Sequence, residues 1–558
     1  MQKKITILPL LAVFLLSSQI LVAQKVEDAA KYIYYQRYNS AKEILQKWVA
    51  GNATDINAQY WLGQAFLEED NIAEARSVYQ KALTATTNAP LILVGIGHVE
   101  LLEGKTNDAR QRFETAINLT KGKKKTDKYG NVDVLKAIGR ANADGDSKVG
   151  EAMYGIEKLT QAAEIDQIDP AIYVDMGILY QKQGPDYGGQ AVSSFDQALT
   201  RNPKYARAIY SKALVYRTQN NTDIFLPLLE QAVSIDPAYT PAYYALYDYY
   251  KNRDVNKAKT YLESYIANSD KDCKASFFYA DYLFRAGKYQ ESLSKAKQLQ
   301  NGDCNTYMRI NVLLAYDYDR LGDSVNAKMH MEQFIAKEDT NKILSSDYEF
   351  LGNILTKFPN SENAAAANFM KAVYRDTAVD KKINYLSSIA NLYRKNKDYT
   401  ALLNIQKLAY GINSKPTNRD IYDLGEAAYL ASDYTFADSI FTIYKTKYPN
   451  EKFGYYWRAR VAQAADTTME KGLLVKPVEE YIQFLEKDKD KNKNALIQQY
   501  SLLAAYYANV VKDKVKAIAN LQKILEYDPE NADAKKYIDI LNKPVKSNNP
   551  KPKAKPKK

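Results

Sequence analysis

The side chains that most often carry out chemistry are scarce in this sequence. Its 558 residues include two histidines and two cysteines. His98 and His330 stand 232 residues apart, which argues against a shared metal site or a histidine base serving a common centre. Asn142, Asp144 and Asp146 superficially follow the alternating oxygen ligands of a calcium loop. Such a loop needs Gly at its sixth position and Glu at its twelfth, and Ser147 and Met153 occupy those places. No HExxH, GxSxG, GxxxxGK[ST] or GxGxxG pattern occurs. Carboxylates alone can hydrolyse a glycoside if two stand at the right distance, but no pair stands out. The expectation is a non-enzymatic chain with no metal and no cofactor.

Composition sets the class. Hydrophobic residues are 46% and charged residues 26%, so the chain can bury a core and is not disordered as a whole. Length alone suggests about three or four domains. The net charge is +11. The stretch from Lys543 to Lys558 holds seven lysines and no acid, and the first 24 residues hold Lys3 and Lys4 and no acid; removing these from the total leaves +2 for the body. A duplex-binding surface needs a basic stripe on the fold, so nucleic acid is not an expected partner. The local run Lys121, Lys123, Lys124, Lys125 and Lys128 fits a solvated loop better than a phosphate site.

Residues 1–24 have the pattern of a secretory signal. Lys3 and Lys4 form a basic start, and Ile5 to Leu16 form an apolar stretch broken by Thr6 and Pro9. Ala23 is a small residue at a plausible cut, which would leave Gln24 as the first mature residue. The stretch is short for a span of ~20 residues, so cleavage is expected over an uncleaved anchor. No cysteine near the cut offers an atom for lipid attachment, and no later segment carries 18 apolar residues in a row. The signal resembles a bacterial one. It predicts a periplasmic or secreted product with no integral span once the signal at 1–23 is removed.

An internal period organises the rest. Gly63, Ala75, Tyr79 and Ala82 recur 34 residues later as Gly97, Ala109, Phe113 and Ala116. Ala198 and Pro203 recur at the same offset as Ala232 and Pro237. Gly425, Ala437 and Phe441 repeat the spacings of 12 and 16 residues, and Pro449 closes that unit. This pattern resembles the tetratricopeptide repeat, a helix–turn–helix of 34 residues. In that family small residues fall where the paired helices touch, rings fill the groove between units, and Pro ends the second helix. Looser matches include Gly177 with Phe195, and Gly352 with Phe369. Gly287-Lys288-Tyr289 and Leu321-Gly322-Asp323 look like inter-helix turns. Degenerate pairs are expected at 26–50, 131–167 and 453–486, and second helices near 397–410 and 513–527.

The resemblance implies an all-α solenoid of about 12–14 helix pairs, because one pair cannot bury its apolar face alone. Its expected divisions are 24–130, then 131–465 with a degenerate first unit, then 466–542 with a closing helix after Pro529. The Lys/Pro-rich tail 543–558 is expected to be disordered. The loops Thr120–Asn131 and Asp466–Lys476 break the regularity. With Gly287 as the turn, Cys273 opens a first helix and Cys304 lies just past its partner. Antiparallel helices bring those ends together, so either a disulfide or two separate buried thiols would fit. A bridge would close about 30 residues and contribute about 3–4 kcal/mol.

Tyrosine is the unusual count, at 47 against 16 Phe and 3 Trp. Many, such as Tyr79 and Tyr180, fall where the repeat needs core rings. Others fall at first-helix positions that line the inner wall in this family. The candidate partner-binding positions are Arg207, Tyr210 and Arg217; Tyr244, Asp248 and Lys251; Phe277, Asp281, Phe284 and Arg285; Arg309, Tyr316, Asp319 and Arg320; and Tyr422, Glu426 and Tyr429. Tyr and Arg give large contact area at interfaces. Some family members grip a peptide carboxylate with Lys, Asn and Arg, whereas the matching positions here hold Tyr, Asp and Arg, which argues against that grip. The expected role is a scaffold or adaptor of the bacterial cell envelope. It would bind a protein or peptide, within an envelope-associated complex, along its concave face. A binder of cell-wall or surface glycan is the alternative, with the lysine tail drawn to anionic surfaces.

Overall fold

In the computed structural model, residues 26–122, 128–145 and 148–543 are described. The stretch read as a secretory signal, the lysines at 123–125, Asp146 and Ser147, and the tail after Lys543 lie outside the described residues. The described chain is helical throughout, with 28 α-helices from Tyr38 to Asn542 and a helical segment before them at 26–34; no strand occurs among the described residues. It is an all-α solenoid of stacked helix pairs. The degenerate pairs are present as Val132–Ala143 with Ala152–Ile165, and Lys452–Ala465 with Val475–Leu485. Tyr399–Ile412, Lys514–Tyr527 and the closing Ala532–Asn542 fall where expected. Among the described residues no helix is long and apolar enough to cross a membrane.

Several pairs close by the same local chemistry. The residue before the second helix is an acceptor in several units: Asn71, Asp398, Asp433 and Asp513 each take the backbone N–H three residues on, at 3.0–3.3 Å. That satisfies a helix-end donor, typically worth about 1 kcal/mol. Whether or not the residue at the start of the second helix caps it, the residue just before that position sits in the left-handed region in many units: Gly104 (φ 77°), Gly287 (76°), Asn220 (55°), Lys397 (59°) and Ser432 (61°). Glycine takes that conformation freely; the others accept a modest strain.

The core follows from the Gly–aromatic spacing. Phe113 lies across Gly97, Phe195 across Gly177, Phe369 across Gly352 and Phe441 across Gly425, and every one of these rings is buried. A Cβ at Gly425 would stand 2.7 Å from the Phe441 ring, and one at Gly352 would stand 2.9 Å from Phe369. The repeat needs glycine there because a ring takes the space a side chain would fill.

The chain divides into two compact units between Leu321 and Gly322. In the first, successive first helices touch one another as well as their partners: Ile56–Leu67, Pro90–Leu102, Val132–Ala143, Pro170–Lys182 and Ala206–Thr218 form one continuous wall. Cys273 and Cys304 form a disulfide, with Cα atoms 5.4 Å apart. It ties the start of Cys273–Arg285 to the loop after Tyr289–Asn301. In the second unit, the helix Lys489–Tyr506 runs into a π-turn at Tyr507–Val511 that ends on left-handed Lys512 (φ 62°).

One core carboxyl makes stability depend on pH. Asp317 is fully buried; its Oδ2 accepts from Ser292 Oγ at 2.8 Å and its Oδ1 has no hydrogen-bond partner. Burial pushes its pKa up to about 7, Asp281 adds to the rise and the Ser292 bond opposes it. The folded state therefore holds this proton more tightly than the unfolded chain. Its contribution is complete below the ordinary carboxyl pKa and is lost as pH rises toward 7. Asp317→Asn is expected to raise stability at pH 8 by about 1–3 kcal/mol and to flatten the decline between pH 4 and 7. Urea midpoints at pH 5 and pH 8 check this; equal midpoint shifts at both would refute it.

Candidate functional groove

Within the first unit, the wall of first helices lines a groove, and the helical segment at 26–34 lies along it. Two cavities of about 660 and 510 Å³ remain beside that segment. Ala30, Trp61, Arg140 and Asp175 border both.

The groove is built from paired charges and rings. Asp175, buried in Pro170–Lys182, receives Arg207 Nη2 at 2.7 Å and lies 4.0 Å from Arg140 Nε. The Arg140 guanidinium is 4.7 Å from the Trp61 ring centroid, a cation–π distance. Burial works against the Arg207 charge, but the Asp175 carboxylate together with Tyr205 and Tyr239 outweighs it and favours the ionised guanidinium. Lys136 lies 3.1 Å from Asp169 and 3.2 Å from Asp133; burial opposes its charge and these acids more than compensate. His98 is buried, with Nε2 3.0 Å from Asp144 Oδ2. Burial of Asp144 raises its pKa, and the His98 contact brings it below the usual range. Asp144 thus faces a histidine. Among the described residues no group of three or more His, Cys, Asp or Glu could hold a metal ion.

The sequence-proposed residues all fall on first helices or at their ends. Arg207, Tyr210 and Arg217 lie on Ala206–Thr218; Tyr244 and Asp248 on Thr240–Tyr250, with Lys251 just past it; Phe277, Asp281, Phe284 and Arg285 on Cys273–Arg285; and Arg309, Tyr316, Asp319 and Arg320 on Arg309–Arg320. Tyr422, Glu426 and Tyr429 lie on Asn418–Leu430 in the second unit. Arg320 is exposed and the others are half-buried.

Many of these side chains are joined to the next first helix. Arg217 pairs with Asp248, which also takes Lys251. Asp281 accepts from Tyr247 at 2.9 Å and from Arg285 at 2.7 Å. Glu426 receives Arg394 at 2.6 Å. Phe284 stacks on Tyr316 at 5.7 Å, and Tyr244 on Phe278 at 5.0 Å. Tyr422 and Tyr429 meet Trp457 edge-on at 5.9 and 5.2 Å. Much of this row thus couples neighbouring repeats. The groove residues that sequence reasoning missed are Tyr34, Trp61, Arg140, Asp175, Tyr205 and Tyr239. Trp61 and Asp175 stand on first helices of well-marked units and could have been included by extending the same face toward the N-terminus.

The family model of the tetratricopeptide repeat matches residues 32–90, 188–240 and 245–303. The chain carries tetratricopeptide repeats. All three matched stretches fall in the first unit. No curated protein matches the sequence. Similar solved structures include the C-terminal part of a TPR repeat-containing protein from Cytophaga hutchinsonii, 29% identical, covering 47% of this chain and 98% of that one with a TM-score of 0.31. A tetratricopeptide repeat protein from Parabacteroides merdae is 17% identical, covering 43% and 92% with a TM-score of 0.37. Yeast Tom70 is 11% identical, covering 76% and 96% with a TM-score of 0.36.

Proposed function

We propose that this tetratricopeptide-repeat chain is a non-catalytic adaptor of the bacterial cell envelope, holding a protein or peptide along its wall of first helices. Repeats of this kind are protein-interaction scaffolds in general. The observation that carries the reading is the groove of the first unit, which combines rings such as Trp61 and Tyr239 with charged groups such as Arg140 and Lys136. Rings supply contact area and the charges set register. The leader-like residues 1–24 and the disulfide support export, since disulfides persist in oxidising compartments.

A photocrosslinking residue placed at Tyr210 in intact cells is expected to trap one discrete protein. The trap should be at least about tenfold stronger than from exposed Lys81 on a second helix. Equal or featureless crosslinking from both positions would refute the groove reading. Mass analysis of the purified chain tests export separately: an intact Met1 end would overturn it.

A further inference from the structure

We propose that the groove of the first unit recognises a short tyrosine-bearing helix, and that the chain's own segment 26–40 occupies this site as a tethered internal ligand. The proposal deepens the groove reading above and rests on it for biological use, but its test needs no outside partner.

The contacts reach far along the chain. Tyr34 packs against Tyr205 and Tyr239 with ring centroids 5.7 and 5.1 Å apart. Its hydroxyl accepts from the backbone N–H of Arg207 at 3.2 Å. The Tyr35 carbonyl accepts from Thr240 Oγ1, and the Tyr35 hydroxyl donates to Asp236 at 3.4 Å. Burial and the Asp236 charge push the Tyr35 hydroxyl up to about 12, so it remains a donor across the physiological range. Ala29 is completely buried.

The end of the segment is also docked. The helix Tyr38–Gly51 starts after Arg37, whose side chain makes no capping hydrogen bond. Asp270 does that work from more than two hundred residues away. Its Oδ2 accepts from the backbone N–H of Asn39 at 2.8 Å and of Ser40 at 3.3 Å, and Ser40 Oγ bonds Oδ1. Arg37 lies 3.6 Å from the same carboxylate. The start of this helix thus takes its cap from a distant repeat, while its Ala41 and Leu45 are buried in the core.

The arrangement is that of a bound peptide: a ring in an aromatic notch, backbone contacts on either side, and a carboxylate at a helix start. The two cavities bordered by the segment show groove that it leaves unfilled. A covalently attached occupant competes at high effective concentration, so a free helix of the same chemistry binds weakly until the tether is released.

The test uses the full chain and a fluorescent synthetic peptide of residues 26–40. Tyr34→Ala with Ser40→Ala in the chain weakens only the internal occupant. This loosened chain is expected to bind the peptide at least tenfold more tightly than the unaltered chain. Adding Thr240→Val and Asp270→Asn to it should remove the gain. Equal peptide affinity for loosened and unaltered chains, or binding indifferent to Thr240→Val and Asp270→Asn, overturns the proposal. Hydrogen exchange on the unaltered chain gives a second readout free of folding effects. The amides of Asn39, Ser40 and Arg207 should exchange at least a hundredfold slower than unprotected amides, and free exchange at all three overturns it. Failure of the Tyr210 crosslink would sink the adaptor reading and leave these outcomes unaffected.

Discussion

Tyr79→Ala is expected to lower stability by about 3–5 kcal/mol, as for a large ring deleted from a close-packed core. Tyr79 is completely buried and lies against both Gly63 and Gly95, so its ring is the contact between two adjacent first helices. Its hydroxyl donates to the Tyr60 carbonyl at 3.2 Å and receives Gln64 Nε2 at 2.9 Å. Neither glycine can fill the hole, and both polar partners would be left buried. Tyr79→Phe separates the two contributions, costing about 1–3 kcal/mol for the unmet hydrogen bonds alone. Because each repeat touches only its neighbours, hydrogen exchange in the alanine variant should rise first across 56–102. A loss below about 1 kcal/mol in urea unfolding would show that the ring is not the contact described.

Removing the Cys273–Cys304 bond is expected to cost about 3–4 kcal/mol, because the bridge restricts a 31-residue separation in the unfolded chain. The bond joins the open ends of one helix pair, opposite the turn at Gly287, so both ends of that hairpin are closed. Cys273→Ser with Cys304→Ser should unfold at lower urea and ignore reductant, whereas the unaltered chain should fall to the same midpoint when reduced. A midpoint indifferent to reductant in the unaltered chain would contradict this. Asp270, which caps the docked N-terminal helix, lies three residues before Cys273. The reduced chain is therefore also expected to lose exchange protection at Asn39 and Ser40.

The charged row on the first helices shows why spacing alone underdetermines a binding site. Arg217 and Asp248 are 31 residues apart, and Tyr247 and Asp281 are 34 apart. At that period side chains return to the same face of the next first helix, where an acid and a base can meet each other as readily as a ligand. Their spacing puts these residues on first helices; their pairing is decided only in the folded chain.

The helix pairs, their period and their glycines were legible from the residues themselves. Gly97 with Phe113 and Gly425 with Phe441 are separated by 16 residues, within one hairpin, so the contact and the signal sit in the same short window. Turns at Asn220, Lys397 and Ser432 were less visible, because those residues take the left-handed conformation without advertising it as glycine does. The tertiary structure alone decided where Tyr34, Tyr35 and Ser40 dock. Their partners lie 173 to 230 residues away, and a contact across that distance is set by how many hairpins stack and how far each turns. No local pattern records that sum of small rotations.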